Sequence, residues 1–179
     1  MRLTEKQNAV LKRMIFGMLI ALSIVVMSSY LNPFGYRESI SLTNKLNVLA
    51  LSAIIPILLL AIAIGRVARH RFFTAEDIDG GGLSIGSEQA KVLQSQLQNT
   101  VEQTVLASLV YYAWSIIMPA TFLSTIPIAA LAFGLGRILF FAGYKKGAPS
   151  RAIGFTLSFY PTIVMIIGMI GTLIWRQVS

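Results

Sequence analysis

Long uncharged apolar blocks separated by short polar segments dominate this chain, in place of the alternation that marks half-buried helices or strands. Met14 to Leu31 is the first block, behind Lys12 and Arg13; Val48 to Gly65 is the second and contains Pro56; Ala152 to Trp175 is the last and runs into Arg176. Gln103 to Gly136 carries no charged residue, and it is too long for one crossing of ~30 Å of hydrocarbon, which takes about 20 helical residues. Pro119 and Pro127 supply the break that divides it into two helices joined by a tight turn. The pattern therefore predicts an all-α protein with five membrane spans. A basic start and an apolar centre are shared with signal peptides, and Val26-Met27-Ser28 loosely resembles a cleavage site. The first apolar run is longer than a usual signal core, so it is read as a retained helix.

The segment Phe72 to Glu88 carries Glu76, Asp77, Asp79 and three consecutive glycines, Gly80 to Gly82, and reads as a mobile linker. The triple glycine lacks the preceding strand and the following Lys-Ser/Thr of a phosphate-binding loop. Ser87, followed by Glu88, Gln89 and Ala90, is a helix start, and the helix it opens is expected to end near Met118.

Composition sharpens this picture. With 55% hydrophobic and only 12% charged residues in 179, the chain has too little ionic surface for a water-soluble globule, which leaves an integral membrane protein. The formal net charge of +8 comes from 15 Lys+Arg against 7 Asp+Glu. No DNA- or RNA-binding module accompanies it, and most of the bases flank apolar blocks, so their expected partner is the lipid bilayer rather than nucleic acid. With five spans and a cytoplasmic N-terminus, the cytoplasmic side collects Arg2, Lys6, Lys12, Arg13, Arg66, Arg69, Arg71, Lys91, Lys145, Lys146 and Arg151, against Arg37, Lys45 and Arg176 opposite. That is the asymmetry of the positive-inside rule. No internal repeat points to an inverted-repeat transporter. The absence of cysteine removes thiolate nucleophiles, disulfides and Cys-based metal centres. A single histidine, His70, set among Arg66, Arg69 and Arg71, reads as an interfacial residue, and no metal is expected.

Glu102 and Arg137 are the two charged residues between Lys91 and Lys145. Each stands about 17 to 18 residues from the Pro119 turn, roughly 26 Å along its helix, so the two are expected to meet at one depth near the cytoplasmic face. Ionisable side chains at membrane depth face a protein interior or a wet cavity and find a partner there. Asn99 shares a face with Glu102 by its i, i+3 spacing, and Phe140, Phe141 and Tyr144 share one with Arg137. Lys145, Lys146 and Arg151 follow at the mouth. This set suits an anionic, polar small molecule beside an apolar phase, with guanidinium groups gripping carboxylates and Glu102 accepting from an ammonium group. A purely structural ion pair between Glu102 and Arg137 is the alternative.

Asn99-x-x-Glu102 near the start of a membrane helix, then Gly136-Arg137 with Gly143-Tyr144, then Arg151, resembles the MAPEG family, the membrane-associated proteins in eicosanoid and glutathione metabolism. The resemblance covers roughly Asn44 to Trp175, and Arg66 with Phe73-x-x-Glu76-Asp77 looks like the end of the family's first helix and its following loop. It implies a four-helix bundle over residues 44–179, with residues 1–43 an extension carrying one extra transmembrane helix. It implies a homotrimer in a bacterial inner membrane, with glutathione as co-substrate bound near the cytoplasmic side between subunits. Asn99, Glu102, Arg137 and Tyr144 would bind glutathione, and Arg151 or Arg66 would hold its sulfur as thiolate. The thiolate would attack an apolar electrophile or reduce a lipid hydroperoxide; a non-catalytic lipid-binding or scaffold member is the alternative. Two positions depart from the family pattern: Ser95 stands where an arginine is usual, and Phe140 replaces a tyrosine of the leukotriene synthase branch.

Overall fold

A computed structural model describes residues 3–178, so Arg2 of the cytoplasmic-side expectation lies outside the described residues. The described residues form helices joined by loops, without a strand, and the five expected helices are present. They are α1 (Glu5–Leu31), α2 (Leu42–Phe73), α3 (Glu88–Ile117), α4 (Thr125–Gly143) and α5 (Ala148–Val178), with single 3₁₀ turns at Ala75–Asp77, Ala120–Phe122 and Tyr144–Lys146. The stretches Glu5–Leu31, Leu42–Phe73, Ala120–Lys146 and Ala148–Val178 are long and apolar enough to cross a membrane. Only α3 falls short in apolarity. At 30 residues, roughly 45 Å, it is long enough, but its first half is rich in Gln, Ser and Asn.

Helix boundaries follow local chemistry. Thr4 and Gln7 form a capping box at the start of α1, and Ser41 and Ser87 cap α2 and α3 by accepting from Asn44 N and Ala90 N. Asn32 ends α1 in the left-handed conformation at φ 42°, which asparagine tolerates. Its side chain then receives Tyr36 N at 3.1 Å and Ser124 Oγ at 2.7 Å, tying the α1–α2 loop to the turn before α4. Pro56 and Pro161 stay inside α2 and α5.

The segment expected to be a mobile linker is tied at both ends. Asp77, 1% exposed, accepts from Ser87 N at 2.7 Å and from Ser87 Oγ at 2.6 Å, and lies 2.8 Å from His70 Nε2. One carboxylate thus fastens the end of α2 and the first turn of α3 to the loop between them.

α2 packs on α3 and α4, α4 packs chiefly on α5, and α1 lies along α5. The α4–α5 crossing is set by glycines. A Cβ on Gly136 would come within 2.8 Å of Gly154 O and Ser158 N, one on Gly143 within 2.5 Å of Ser150 O, and one on Gly154 would collide with the backbone of Phe140. Backbone therefore lies on backbone, the close approach that small residues permit between membrane helices. The core at the far end is apolar, with Trp114, Leu123, Ile126, Phe133 and Met165. On α3 the buried stripe runs Leu93, Gln96, Thr100, Gln103, Ala107, Tyr111 and Trp114, polar at one end and apolar at the other.

Contacts place the basic residues at one end, as the charge asymmetry predicted. Arg13 Nη1 donates to Pro149 O at 2.5 Å, Arg66 lies over the Phe141 ring at 5.0 Å, and Arg71 donates to Gln94 at 3.1 Å. At the opposite end Arg176 donates to Ile117 O at 2.9 Å, and Glu38 receives Ala120 N at 3.2 Å.

Gly154→Ala is expected to destabilise the protein by about 1 to 3 kcal/mol, the cost of overpacking, although alanine has the higher helix propensity. Gly171→Ala, on the same helix but facing open space, is expected to be neutral or slightly stabilising. Thermal unfolding of both variants in one detergent checks the comparison.

Candidate functional site

Arg137 is the largest fully buried side chain, with 0% exposure. Its Nη1 donates to Asn99 Oδ1 at 2.8 Å on α3 and its Nη2 to Ser158 Oγ at 2.5 Å on α5. The guanidinium lies over the rings of Phe140 at 4.4 Å and Phe133 at 5.8 Å, which share its helix face at i+3 and i−4. Nε has no partner, and among the described residues no carboxylate forms an ion pair with the group. Such a buried cation is held by neutral oxygens and π-faces alone. The environment favours any anion that can come near.

This arrangement corrects one expectation. Glu102 and Arg137 do not meet within the chain: Glu102 is exposed and receives Gln98 Nε2 at 3.0 Å. Asn99, one helical turn earlier, meets Arg137 instead. An i, i+3 step turns the side chain by about 60°, enough to point Glu102 out of the bundle while Asn99 points in. Ser158 was not singled out from the sequence. The signal was available in Gly154-x-x-x-Ser158, a small-residue spacing on α5 whose backbone approaches Gly136.

Asn99, Tyr144 and Arg151 line one cavity of about 310 Å³ with Phe140, Ala148, Ala152 and Phe155, and with Val10 and Met14 of α1. Arg151, in the first turn of α5, lies over the Tyr144 ring at 4.3 Å. Tyr144 opens the 3₁₀ turn after α4, and its ring packs edge-on to Phe140 at 5.3 Å. This cavity is lined by a cation, a phenol and a carboxamide together with apolar side chains. Arg66 is not part of it. It lines a separate cavity with Arg69, His70, Phe73 and Gln89, between the end of α2 and the start of α3. Ser95, bonded to Lys91 O at 2.9 Å, borders a third cavity whose cations are Arg71 and Lys91. Of the six residues expected at the site, Asn99, Arg137, Tyr144 and Arg151 form one connected group; Glu102 and Arg66 face elsewhere in the single chain.

A family model matches residues 46–171, described as the MAPEG family. The chain belongs to the MAPEG family. Neither the curated proteins nor the solved structures provide a further match. MAPEG proteins include glutathione-dependent transferases and peroxidases as well as non-catalytic members; they generally use glutathione and are generally trimeric. The matched residues take in all of the connected group, whereas α1 lies before them. Among the described residues no cluster of His, Asp or Glu could hold a metal ion.

Outside the membrane, the hydrogen bonds from Ser87 hold the Asp77 carboxyl below its ordinary range, with a smaller contribution from His70. A carboxyl depressed in the folded state adds stability that is fully present above its ordinary value near 4 and is lost as pH falls through the lower folded value. The turn between α2 and α3 is therefore expected to loosen selectively under strong acid. Limited proteolysis at residues 78–86 should accelerate below about pH 4 in the wild type, and Asp77→Asn should show that faster cleavage already at neutral pH.

Asn99→Leu removes a hydrogen bond to a charged group and leaves Arg137 with Ser158 alone, an expected loss of about 1.5 to 3 kcal/mol. Replacing Arg137 as well, by Met, should recover part of that loss, because the uncompensated charge goes with it. A double-mutant cycle in denaturant measures the recovery.

Proposed function

We propose that this MAPEG protein is a glutathione-dependent transferase or peroxidase acting on apolar electrophiles or lipid hydroperoxides. The observation that carries the reading is the convergence of Asn99, Tyr144 and Arg151 on one cavity beside Arg137, a buried cation without a carboxylate. Glutathione brings two carboxylates, an ammonium group and a thiol. A guanidinium close to a thiol lowers its pKa and favours the nucleophilic thiolate, so Arg151, at the cavity wall, is the residue assigned to that role. In a conjugation the thiolate forms the S–C bond, while the electrophile releases its leaving group or takes up a proton at the adjacent carbon. Tyr144 and Asn99 would orient the peptide, and the apolar wall would receive the second substrate.

Glu102 and Arg66 enter this reading through assembly. Glu102 is exposed, and a carboxylate at membrane depth is costly unless something covers it. A neighbouring subunit of a homotrimer would do so and would bring Glu102 and Arg66 to shared sites between subunits. We place the basic end on the cytoplasmic side of a bacterial inner membrane, which puts the N-terminus there as well.

Ser95 favours a second reading, a non-catalytic lipid-binding or scaffold member, since a cation usual at that position is missing. Millimolar glutathione should raise the melting temperature of the detergent-purified protein by several degrees under the first reading, because a ligand of the folded state stabilises it by mass action. No shift with glutathione or other thiols selects the second. In the bound complex, Arg151→Ala should abolish the ultraviolet absorbance of the thiolate while the protein stays folded; absorbance that survives in both Arg151→Ala and Arg66→Ala removes the thiolate-holding role from these residues.

A further inference from the structure

The helix that precedes the family-matched residues is part of the candidate site. Val10 and Met14, one turn apart on α1 and both half-buried, complete the wall of the 310 Å³ cavity opposite Tyr144 and Arg151. The same two residues, with Ala148, also border an adjoining cavity of about 320 Å³, otherwise lined by Leu3, Lys6, Gln7 and Leu11. Val10, Met14 and Ala148 are thus shared by the chamber that holds Asn99, Tyr144 and Arg151 and by a second, mostly apolar one along the start of α1.

α1 is held against the bundle at several heights, so its inner face is a fixed wall. At the basic end Arg13 donates to Pro149 O at 2.5 Å, within the turn that leads into Arg151. Midway, Gly17 lies so close to Thr156 that a Cβ there would collide with the threonine side chain. At the far end Ser29 Oγ lies 2.8 Å from Thr125 Oγ1, and Ser28 donates to the same oxygen at 3.2 Å. Each contact joins α1 to α4, α5 or the loops that end them. An anchor serving only to hold the chain in lipid would need none of them.

We propose that α1 forms the selective apolar wall of the site: the apolar tail of a substrate reacting at Arg151 lies against Val10, Met14 and Ala148, and the Met14 side chain sets the tail length accommodated. Methionine suits the position, being unbranched and able to repack around different apolar shapes. This rests on the reading of the Arg151 cavity as a glutathione site, but the wall is testable without glutathione.

The chain contains no cysteine, so one introduced thiol reports alone. In proteoliposomes, Met14→Cys and Leu22→Cys are labelled with N-ethylmaleimide; Leu22 is 47% exposed on the same helix and borders neither cavity. Saturating N-dodecylsuccinimide, an unreactive apolar competitor, should slow labelling of Met14→Cys at least fivefold and leave Leu22→Cys within twofold of its free rate. Equal rates with and without competitor at Met14→Cys overturn the proposal. In a second arm, conjugation of glutathione to N-alkylmaleimides is measured across tail lengths. Met14→Trp should lower kcat/KM for the dodecyl compound at least tenfold relative to the ethyl compound, and Met14→Ala should shift the preference toward longer tails. An unchanged ratio in both variants likewise overturns it. Protection at Met14→Cys without glutathione turnover in any variant would sink the glutathione reading and leave the apolar wall standing; turnover without protection would do the reverse.

Discussion

A guanidinium buried between two phenylalanine rings, held by an amide oxygen and a hydroxyl, is the constraint on which this structure turns. Arg137 needs three helices to be satisfied: its own α4, α3 for Asn99 and α5 for Ser158. Desolvating such a group is expensive, and neutral acceptors offset the expense only in part. The arrangement therefore fixes the mutual height of the three helices at that level. It also leaves a positive potential beside the cavity where Tyr144 and Arg151 meet.

The α4–α5 contact supplies the precision that this demands. Gly136, Gly143 and Gly154 bring two backbones together without side chains between them, and Ser158 sits one turn beyond Gly154 on the same face. In lipid there is little hydrophobic gain in bringing helices together, so close packing and interhelical hydrogen bonds do the work that burial does in water. Wider spacing would carry Ser158 out of reach of Arg137. The stability of the bundle and the geometry of the site thus rest on the same glycines.

The connections reinforce the ends of the bundle in the same manner. Asp77 gathers the end of α2 and the start of α3, and Glu38, whose carboxyl is held below its ordinary range by the backbone N–H groups of Ala120 and Thr121, fastens the α1–α2 loop to the opposite turn. Both use a carboxylate to collect backbone donors that helix starts and turns leave over. Through such ties α1 becomes continuous with the bundle and reaches the cavity shared by α3, α4 and α5.

The sequence by itself determined the helices, their ends and their sorting of charge. Long apolar blocks can satisfy their backbone in lipid only as helices, Ser87 and Pro119 mark boundaries through local chemistry, and lysines and arginines flank the blocks regardless of packing. It also yielded the family and most of the polar group, because Asn99, Arg137, Tyr144 and Arg151 lie at characteristic spacings. Which side chains touch was decided only in three dimensions. The helix rotation that turns Asn99 toward Arg137 and Glu102, about 60° around, away from it, the choice of Ser158 as second acceptor, the burial of Asp77 in a glycine-rich loop and the docking of α1 at Val10 and Met14 all depend on how helices distant in sequence settle against one another. Spacing along one helix gives depth and face; the partner across the gap is set by neighbours that no local pattern names.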